Sequence, residues 1–462
     1  MRKIAFLIIF MVTGSQLNAQ SNLVGMWEGG ITVPSGQLKI VFKIDGLSDK
    51  LSGTLDIPQQ GAKGLRFTSV TQKKDSVELI FSAGQVKGVF TGIFENASSI
   101  SGIYSQGAGE TTFKVERVRI DNSDENVLDN ETEIILQNGD IEIGGTLTLP
   151  LGEIKAPLLI MSSGSGAQDR DSNIYDFKIF KVIAQTLSKQ GIPTFRYDDR
   201  GINKSSGNFA DATLDDLVSD VDAIINYFKN NEDQNFDRFI ILGHSQGGVV
   251  AGKIAKENES IVQLILMGST APSLSEILRY QVELAYQNSP VDKSLIENEI
   301  VARESLMRSL VNDKNIEEAR LAYERAYIDV LNDLPDAQRN SIPDINATAM
   351  NQASSLVAVY SSAQMKSLLF YVPVSDLERL DIPVLVLFGG KDTQVTVSQN
   401  LEPIKEALES SGTSFDVITF PEANHLFQKA ENGSVNEYPF LAKEFVDGFL
   451  DQISVWILGI IN

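Results

Sequence analysis

Two hydrophobic rhythms divide the chain. Up to about residue 120, apolar and polar positions alternate, as in Leu38-Lys39-Ile40-Val41-Phe42-Lys43-Ile44. The alternation recurs over Leu51–Ile57, Val77–Phe81, Val86–Phe94, Ile100–Tyr104 and Thr112–Val118, with Asp45-Gly46 and Glu95-Asn96 reading as turns between runs. Successive side chains on a strand point to opposite faces, so each run offers one face for burial. Short strands at even spacing predict a small all-β domain over residues 20–120, a barrel or a sandwich. Gly25-Met26-Trp27-Glu28-Gly29 opens it, with Trp27 expected to plug one end of the core. The polar, acidic stretch 121–130 (DNSDENVLDN) reads as a linker.

Beyond the linker, continuous apolar runs alternate with amphipathic stretches, the pattern of a parallel sheet flanked by helices. Strands are expected at Glu133–Gln137, Ile141–Leu149, Pro157–Ser162, Ile192–Tyr197, Phe239–Gly243, Val262–Gly268, Pro383–Phe388 and Phe415–Phe420. Helices are expected at Phe177–Lys189, Leu214–Lys229, Gly247–Glu257, Val397–Ser410 and Pro439–Leu450, and Asn138-Gly139 marks a hairpin between the first two strands. From Pro272 to Leu377 the strand signal stops. Helical stretches over Leu274–Gln287, Lys293–Asn312 and Ile316–Leu331 take its place. An α/β unit over 131–271 and 378–462, interrupted by a helical cap over 272–377, accounts for both patterns.

Composition narrows the picture. At 462 residues the chain calls for two or three domains, and 42% hydrophobic with 22% charged residues is a globular balance. A formal net charge of −22 disfavours nucleic acid and anionic membranes as partners. With no cysteine and two histidines, disulfides, thiolate catalysis and cysteine metal sites are excluded, and no metal or other cofactor is expected. Arg2 and Lys3, the apolar run Ile4–Val12 and the segment Leu17-Asn18-Ala19-Gln20 have the layout of a signal peptide over residues 1–19, cleaved after Ala19. The mature protein is expected to be periplasmic or extracellular. Neither Ile4–Val12 nor the apolar tail Val455–Ile461 has the ~20 residues of a membrane span, and the tail is expected to pack on the body of the protein.

Chemistry concentrates where the strand Phe239-Ile240-Ile241-Leu242 runs into Gly243-His244-Ser245-Gln246-Gly247-Gly248 and then into a helical segment. A serine between glycines on a strand–turn–helix corner is presented at the tip of a strained turn, and the glycines let strand and helix pass closely. At a helix N-terminus it sits where free N–H groups favour developing negative charge. A hydroxyl needs a base. His244 adjoins the serine in the turn and is expected to point away from it, in a packing or hydrogen-bonding role, which leaves His425, after the last strand, as base. Asp392, in Gly389-Gly390-Lys391-Asp392-Thr393 at the C-terminal end of a buried strand, is the acid that would orient it, with Glu422 a rival. For the oxyanion, the N–H of Gln246 is one donor. The second is expected from Ser165 or Gly166, in the glycine-rich loop after the Pro157–Ser162 strand.

These residues carry a resemblance. The chain resembles bacterial α/β-hydrolases, esterases or serine aminopeptidase-like proteins, that have a GSGxxDRD loop, here Gly164-Ser165-Gly166-Ala167-Gln168-Asp169-Arg170-Asp171. The YDDRGxGxS segment of that family is similar to Tyr197–Ser205, with Asn203 where a second glycine is usual. The resemblance spans about residues 130–450. It implies an α/β-hydrolase fold with a helical cap, preceded by the extra β-domain of some exported members, and a carboxylesterase acting on short-acyl esters, small-molecule substrates, through an acyl-enzyme. Two further readings stand beside it. One is a peptidase or amidase with the same triad, its cap acids Glu297, Glu299, Glu304, Glu317 and Glu318 receiving a free amine. The other is a glycan- or lipid-binding protein whose hydrolase half is degenerate.

Overall fold

The computed structural model describes residues 23–117, apart from short breaks at 34–35, 48–49, 59–61, 84–85, 97 and 108, and residues 130–461 apart from 288. The expected signal segment and residues 121–129 of the expected linker lie outside the described residues. The chain divides into two compact units, Met1–Asn126 and Val127–Asn462.

The first unit is a closed, up-and-down antiparallel barrel of β1 (Gly25–Val33), β2 (Gly36–Leu47), β3 (Lys50–Ile57), β4 (Ala62–Lys73), β5 (Ser76–Ala83), β6 (Val86–Asn96), β7 (Ser99–Gln106) and β8 (Gly109–Arg117), the last pairing with the first. Alternation fills its inside: Ile40, Phe42 and Ile44 of β2 and Val77, Leu79 and Phe81 of β5 belong to one buried cluster. Phe90 stacks edge-on against Phe42 and Phe113 at 4.9 and 5.1 Å. Trp27 is fully buried, its Nε1 donating to the Leu23 carbonyl at 2.8 Å. Both expected turns change: Glu95 and Asn96 are the last residues of β6, with Asn96 opposite Ser99. Asp45 and Gly46 are paired rungs of β2, opposite Ser52 and Leu51, and not a turn. The twelve-residue β4 has no clean alternation because a bulge between Phe67 and Ser69 resets the side-chain phase part-way along it.

The second unit holds an eight-stranded sheet. Its strands are β9 (Glu131–Asn138), β10 (Ile141–Thr148), β11 (Leu158–Ser162), β14 (Thr194–Tyr197), β15 (Phe239–His244), β16 (Ile261–Met267), β17 (Val384–Gly389) and β18 (Phe415–Phe420). A two-stranded hairpin of β12 (Asn173–Ile174) and β13 (Phe177–Lys178) stands apart. The sheet order is β9-β10-β14-β11-β15-β16-β17-β18, with β10 antiparallel to both neighbours and every pair from β14 onward parallel. Strands β11 and β15 are wholly buried, which is why they read as unbroken apolar runs. Helices α1 (Ile179–Ser188), α2 (Leu214–Asn230), α3 (Gln246–Glu257), α11 (Val397–Ser411) and α12 (Phe449–Ile461) flank the sheet. Each buries one stripe, as α1 does with Ile179, Phe180, Ile183, Ala184 and Leu187.

Between β16 and β17 the chain leaves the sheet for α4 (Leu274–Tyr286), α5 (Lys293–Val311), α6 (Ile316–Asn332), α7 (Asp336–Arg339), α8 (Ile345–Tyr360), α9 (Ala363–Leu368) and α10 (Val374–Leu377). These helices have a core of their own around Leu306, Leu310, Tyr323 and Leu356. The helix expected at Pro439–Leu450 is not there. A 3-10 turn covers Val435–Phe440, Gly448 takes φ +80°, and the helix runs instead from Phe449 to Ile461, burying Phe449, Ile453 and Ile457 at four-residue spacing. The apolar tail thus packs on the sheet as one stripe of α12. Among the described residues no helix is long and apolar enough to cross a membrane.

Candidate active site

The turn from β15 into α3 is tight. Ser245 adopts φ +53° and ψ −119°, a conformation that costs a non-glycine residue about 1–3 kcal/mol. Its N–H is held by the Met267 carbonyl at 2.9 Å, and its own carbonyl accepts from Gly248 N–H at 2.9 Å. The flanking glycines are there for close approach. A Cβ on Gly243 would lie 2.2 Å from the Gly247 carbonyl oxygen, and one on Gly247 would lie 2.1 Å from that of Ser162. The serine is thus carried at the head of α3, with the Gln246 N–H first in the helix.

Asp392 follows β17 and is buried. Its Oδ1 accepts from the N–H groups of Gln394 (2.8 Å) and Val395 (2.9 Å), and its Oδ2 lies 2.6 Å from His425 Nδ1. A carboxylate can only accept, so Nδ1 carries the imidazole proton and Nε2 keeps its lone pair. His425 follows β18 in a loop that Asn424 organises. The Asn424 Oδ1 accepts from the N–H groups of Leu426 (2.9 Å) and Gln428 (3.0 Å), and the residue is fully buried. The imidazole sits over the end of β16: a Cβ on Gly268 would be 3.4 Å from its Cε1 and 3.7 Å from Asp392 Oδ2. Met267, the residue before Gly268, accepts the Ser245 N–H. Asp392 and His425 are therefore directly bonded and lie beside the Ser245 turn, while among the described residues no hydrogen bond joins the Ser245 hydroxyl to His425. Glu422 is exposed and pairs with Lys391 at 2.9 Å, away from the imidazole.

His244 turns toward the His425 loop. Its Nε2 lies 3.0 Å from the His425 carbonyl, and the two rings are 4.8 Å apart. A carbonyl accepts, so Nε2 carries the proton. Burial, followed by the neighbouring His425, lowers this histidine to about 3, so it stays neutral at physiological pH. It is a hydrogen-bonding residue that anchors the backbone at His425.

The glycine-rich loop after β11 reaches the same place. A Cβ on Gly164 would be 3.4 Å from the Ser245 Cβ. Ser165 lines a cavity of about 260 Å³ together with Ser245 and Gln246, whereas Gly166 does not line it. The wall opposite comes from the helical insertion: Leu274, Ile277 and Gln281 of α4, Met365 and Leu368 of α9, and Tyr371. Among the described residues no charged side chain lines the cavity. The insertion is tied to the serine turn by Gln364, whose Nε2 donates to Gln246 Oε1 at 2.9 Å. The acids expected to meet an amine are used elsewhere. Glu297 pairs with Arg279 and Glu304 with Arg308, at 2.9 and 2.6 Å. Glu317 pairs with Arg320 at 2.8 Å, Glu299 is buried against Arg303, and Glu318 is exposed. Among the described residues no cluster of three metal-ligating side chains occurs.

Comparison with known proteins bears on this arrangement. Residues 176–338 match the family described as "Serine aminopeptidase, S33", and residues 347–445 match the "Dienelactone hydrolase family".

The second unit has the α/β-hydrolase fold.

Esterase EstD of Thermotoga maritima is 23% identical over 439 residues, covering 94% of this chain and 92% of the relative, so the similarity runs through the barrel as well. A putative carboxymethylenebutenolidase of Yersinia pestis is 35% identical over 78 residues, covering 16% of this chain and 29% of that one. Among solved structures, proline iminopeptidase of Mycobacterium smegmatis is 17% identical, with a TM-score of 0.42 over 71% of this chain and 98% of its own.

Sequence reasoning left some residues of this α/β-hydrolase site unassigned. Asp198 and Asp199 stand just past β14 and bind the glycine-rich loop. The available signal was an Asp pair directly after the expected strand Ile192–Tyr197, at the strand end where sheet proteins collect their chemistry. Gln364 and the cap residues lining the cavity gave no signal, because nothing local marks which face of a cap helix meets the sheet.

Proposed function

We propose that the protein is a serine carboxylesterase. The observation that carries the reading is the His425 imidazole, held through Nδ1 by a buried Asp392 at 2.6 Å beside a serine in a strained strand-to-helix turn. In this reading Ser245 Oγ attacks the ester carbonyl while His425 Nε2 takes the hydroxyl proton. The carbonyl oxygen becomes an oxyanion, which accepts from the Gln246 N–H and from the loop at Ser165. Collapse of the tetrahedral adduct breaks the bond to the alcohol oxygen, which leaves with the proton from His425. A water then gives its proton to His425 and attacks the acyl-enzyme, and Ser245 departs with that proton as the acid is released.

Esters are favoured over aminoacyl amides by the lining of the cavity. It is uncharged, and a buried ammonium without a carboxylate partner would be costly. Similarity to an esterase over most of the chain supports the same choice. Purified protein is expected to turn over p-nitrophenyl acetate and butyrate at least about 100-fold faster in kcat/KM than aminoacyl p-nitroanilides, a difference of ~3 kcal/mol in transition-state binding. Equal or faster anilide turnover would move the assignment to a peptidase.

We also propose that the protein is exported, on the strength of the Arg2–Gln20 segment. Protein expressed from the full sequence in a Gram-negative host should be recovered from the periplasm or medium with Gln20 at its N-terminus. Recovery of the intact Met1 form in the cytoplasm would remove this part of the reading.

A further inference from the structure

Segments after β11 and β14 emerge side by side, because the two strands pair in parallel with Leu159 opposite Thr194 and Met161 opposite Arg196. The first segment is the glycine-rich loop, and the second begins with Asp198 and Asp199. Asp199 Oδ2 accepts from Ser163 Oγ at 2.9 Å and from Gln168 N–H at 2.8 Å, while its own N–H donates to the Gln168 carbonyl at 3.0 Å. Both ends of the stretch Ser163–Gln168 are thereby pinned to one residue, and the part between them carries Gly164 against the Ser245 turn and Ser165 into the cavity wall.

The neighbouring carboxylates have other work. Asp198 receives Arg170 at 2.6 Å and Asn203 at 3.1 Å, and Asp220 of α2 receives Arg200 at 2.7 Å. Asp199, in contrast, is buried and has no ion-pair partner among the described residues. Its own ion-pairing therefore gives no reason to hold a carboxylate there. The two hydrogen bonds to the loop do.

We propose that Asp199 is a positioning residue of the hydrolytic site, its carboxylate setting the glycine-rich loop so that the loop N–H meets the oxyanion. The inference rests on the carboxylesterase reading. The charged groups that bear on Asp199 are Asp198 beside it, which receives Arg170, and Asp220, which receives Arg200; the Tyr197 hydroxyl, which Asp199 also influences, is bonded to Ser162 Oγ at 3.3 Å. Burial raises Asp199 to about 7, opposed by its hydrogen bonds to Gln168 and Ser163 and reinforced by Asp220 and Asp198. The raised value makes the carboxylate the minor form below that pH and the major form above it. Charge-assisted bonds to the loop therefore strengthen as pH rises through neutrality.

The test uses the full chain with Asp199→Ala and Asp199→Asn, reading kcat and KM for p-nitrophenyl butyrate from pH 6 to 9, alongside thermal melting and fluorophosphonate labelling. Losing a well-placed oxyanion donor costs about 10²–10³ in kcat, so a loosened loop is expected to cost about 10–10². For Asp199→Ala that loss should fall on kcat, with KM within about threefold. Asp199→Asn keeps an oxygen to accept both bonds but, like the protonated acid, carries no charge, so its kcat should lie between that of the alanine variant and that of the unaltered protein at alkaline pH. Its acid limb should be shallower, since two groups must lose protons in the unaltered protein and one in the variant. An Asp199→Ala protein that melts normally with unaltered kcat and pH profile overturns the inference, as does a loss confined to KM. If the alanine variant does not fold, an Asn variant whose acid limb keeps the original slope overturns it. With Ser245→Ala inactive, such results leave the esterase reading standing. If the unaltered protein neither turns over esters nor reacts with the fluorophosphonate, both readings fall together.

Discussion

Ser245→Ala is expected to lower kcat/KM for p-nitrophenyl butyrate by about 10⁴-fold or more, and to abolish covalent labelling by a fluorophosphonate. Without Oγ no acyl-enzyme can form, and what remains is the modest help that the oxyanion donors and the binding cavity give to attack by water. Stability should barely move, within about 0.5 kcal/mol. Alanine has the same Cβ as serine and meets the same φ of +53°, so the strain in the turn is unchanged, and the described residues give Oγ no hydrogen bond to lose. A matched melting curve with lost activity therefore isolates chemistry from folding. Turnover within tenfold of the unaltered protein would end the serine mechanism.

Asp392→Asn should cost about 10⁴-fold in kcat near neutral pH with little change in KM. The reason lies in which atoms the carboxylate serves. Oδ1 is already committed to the N–H groups of Gln394 and Val395, so an asparagine would place its carbonyl oxygen there and turn its NH₂ toward His425. A donor facing Nδ1 selects the imidazole tautomer with its proton on Nε2, the nitrogen that must accept from Ser245. The geometry would survive while the base was lost. Steady-state rates together with an intact melting transition check this, and activity within tenfold of the unaltered protein would mean that Asp392 does not orient the base.

Much of this site was legible in one dimension. Gly243 and Gly247 had to be glycines because backbone oxygens lie within 2.2 Å of where a Cβ would be. A local requirement of that kind leaves a local motif. His425 was reached by elimination, since the chain has two histidines and one of them adjoins the serine. The buried strands announced themselves as unbroken apolar runs. Where reading failed, the causes were specific. The bulge between Phe67 and Ser69 shifted the phase of β4, so that strand lost its alternation. At the C-terminus the apolar spacing of Phe449, Ile453 and Ile457 was present, but Gly448, which bars the helix from starting earlier, takes a positive φ that the residue name alone does not reveal.

Hydrophobic period and glycine spacing were enough to give most elements and to single out Ser245, Asp392 and His425 at the ends of their strands, because each signal depends on neighbours a few residues apart. Which groups meet was settled by the exchanged order of β14 and β11 in the sheet and by the packing of the cap upon it. Those arrangements bring Asp199 against the glycine-rich loop, Gln364 onto the serine turn and His244 against the His425 loop. The sequence separations there run from 31 to 181 residues, and a contact at that range is chosen by how whole layers bury their apolar faces, which no short window of the chain records.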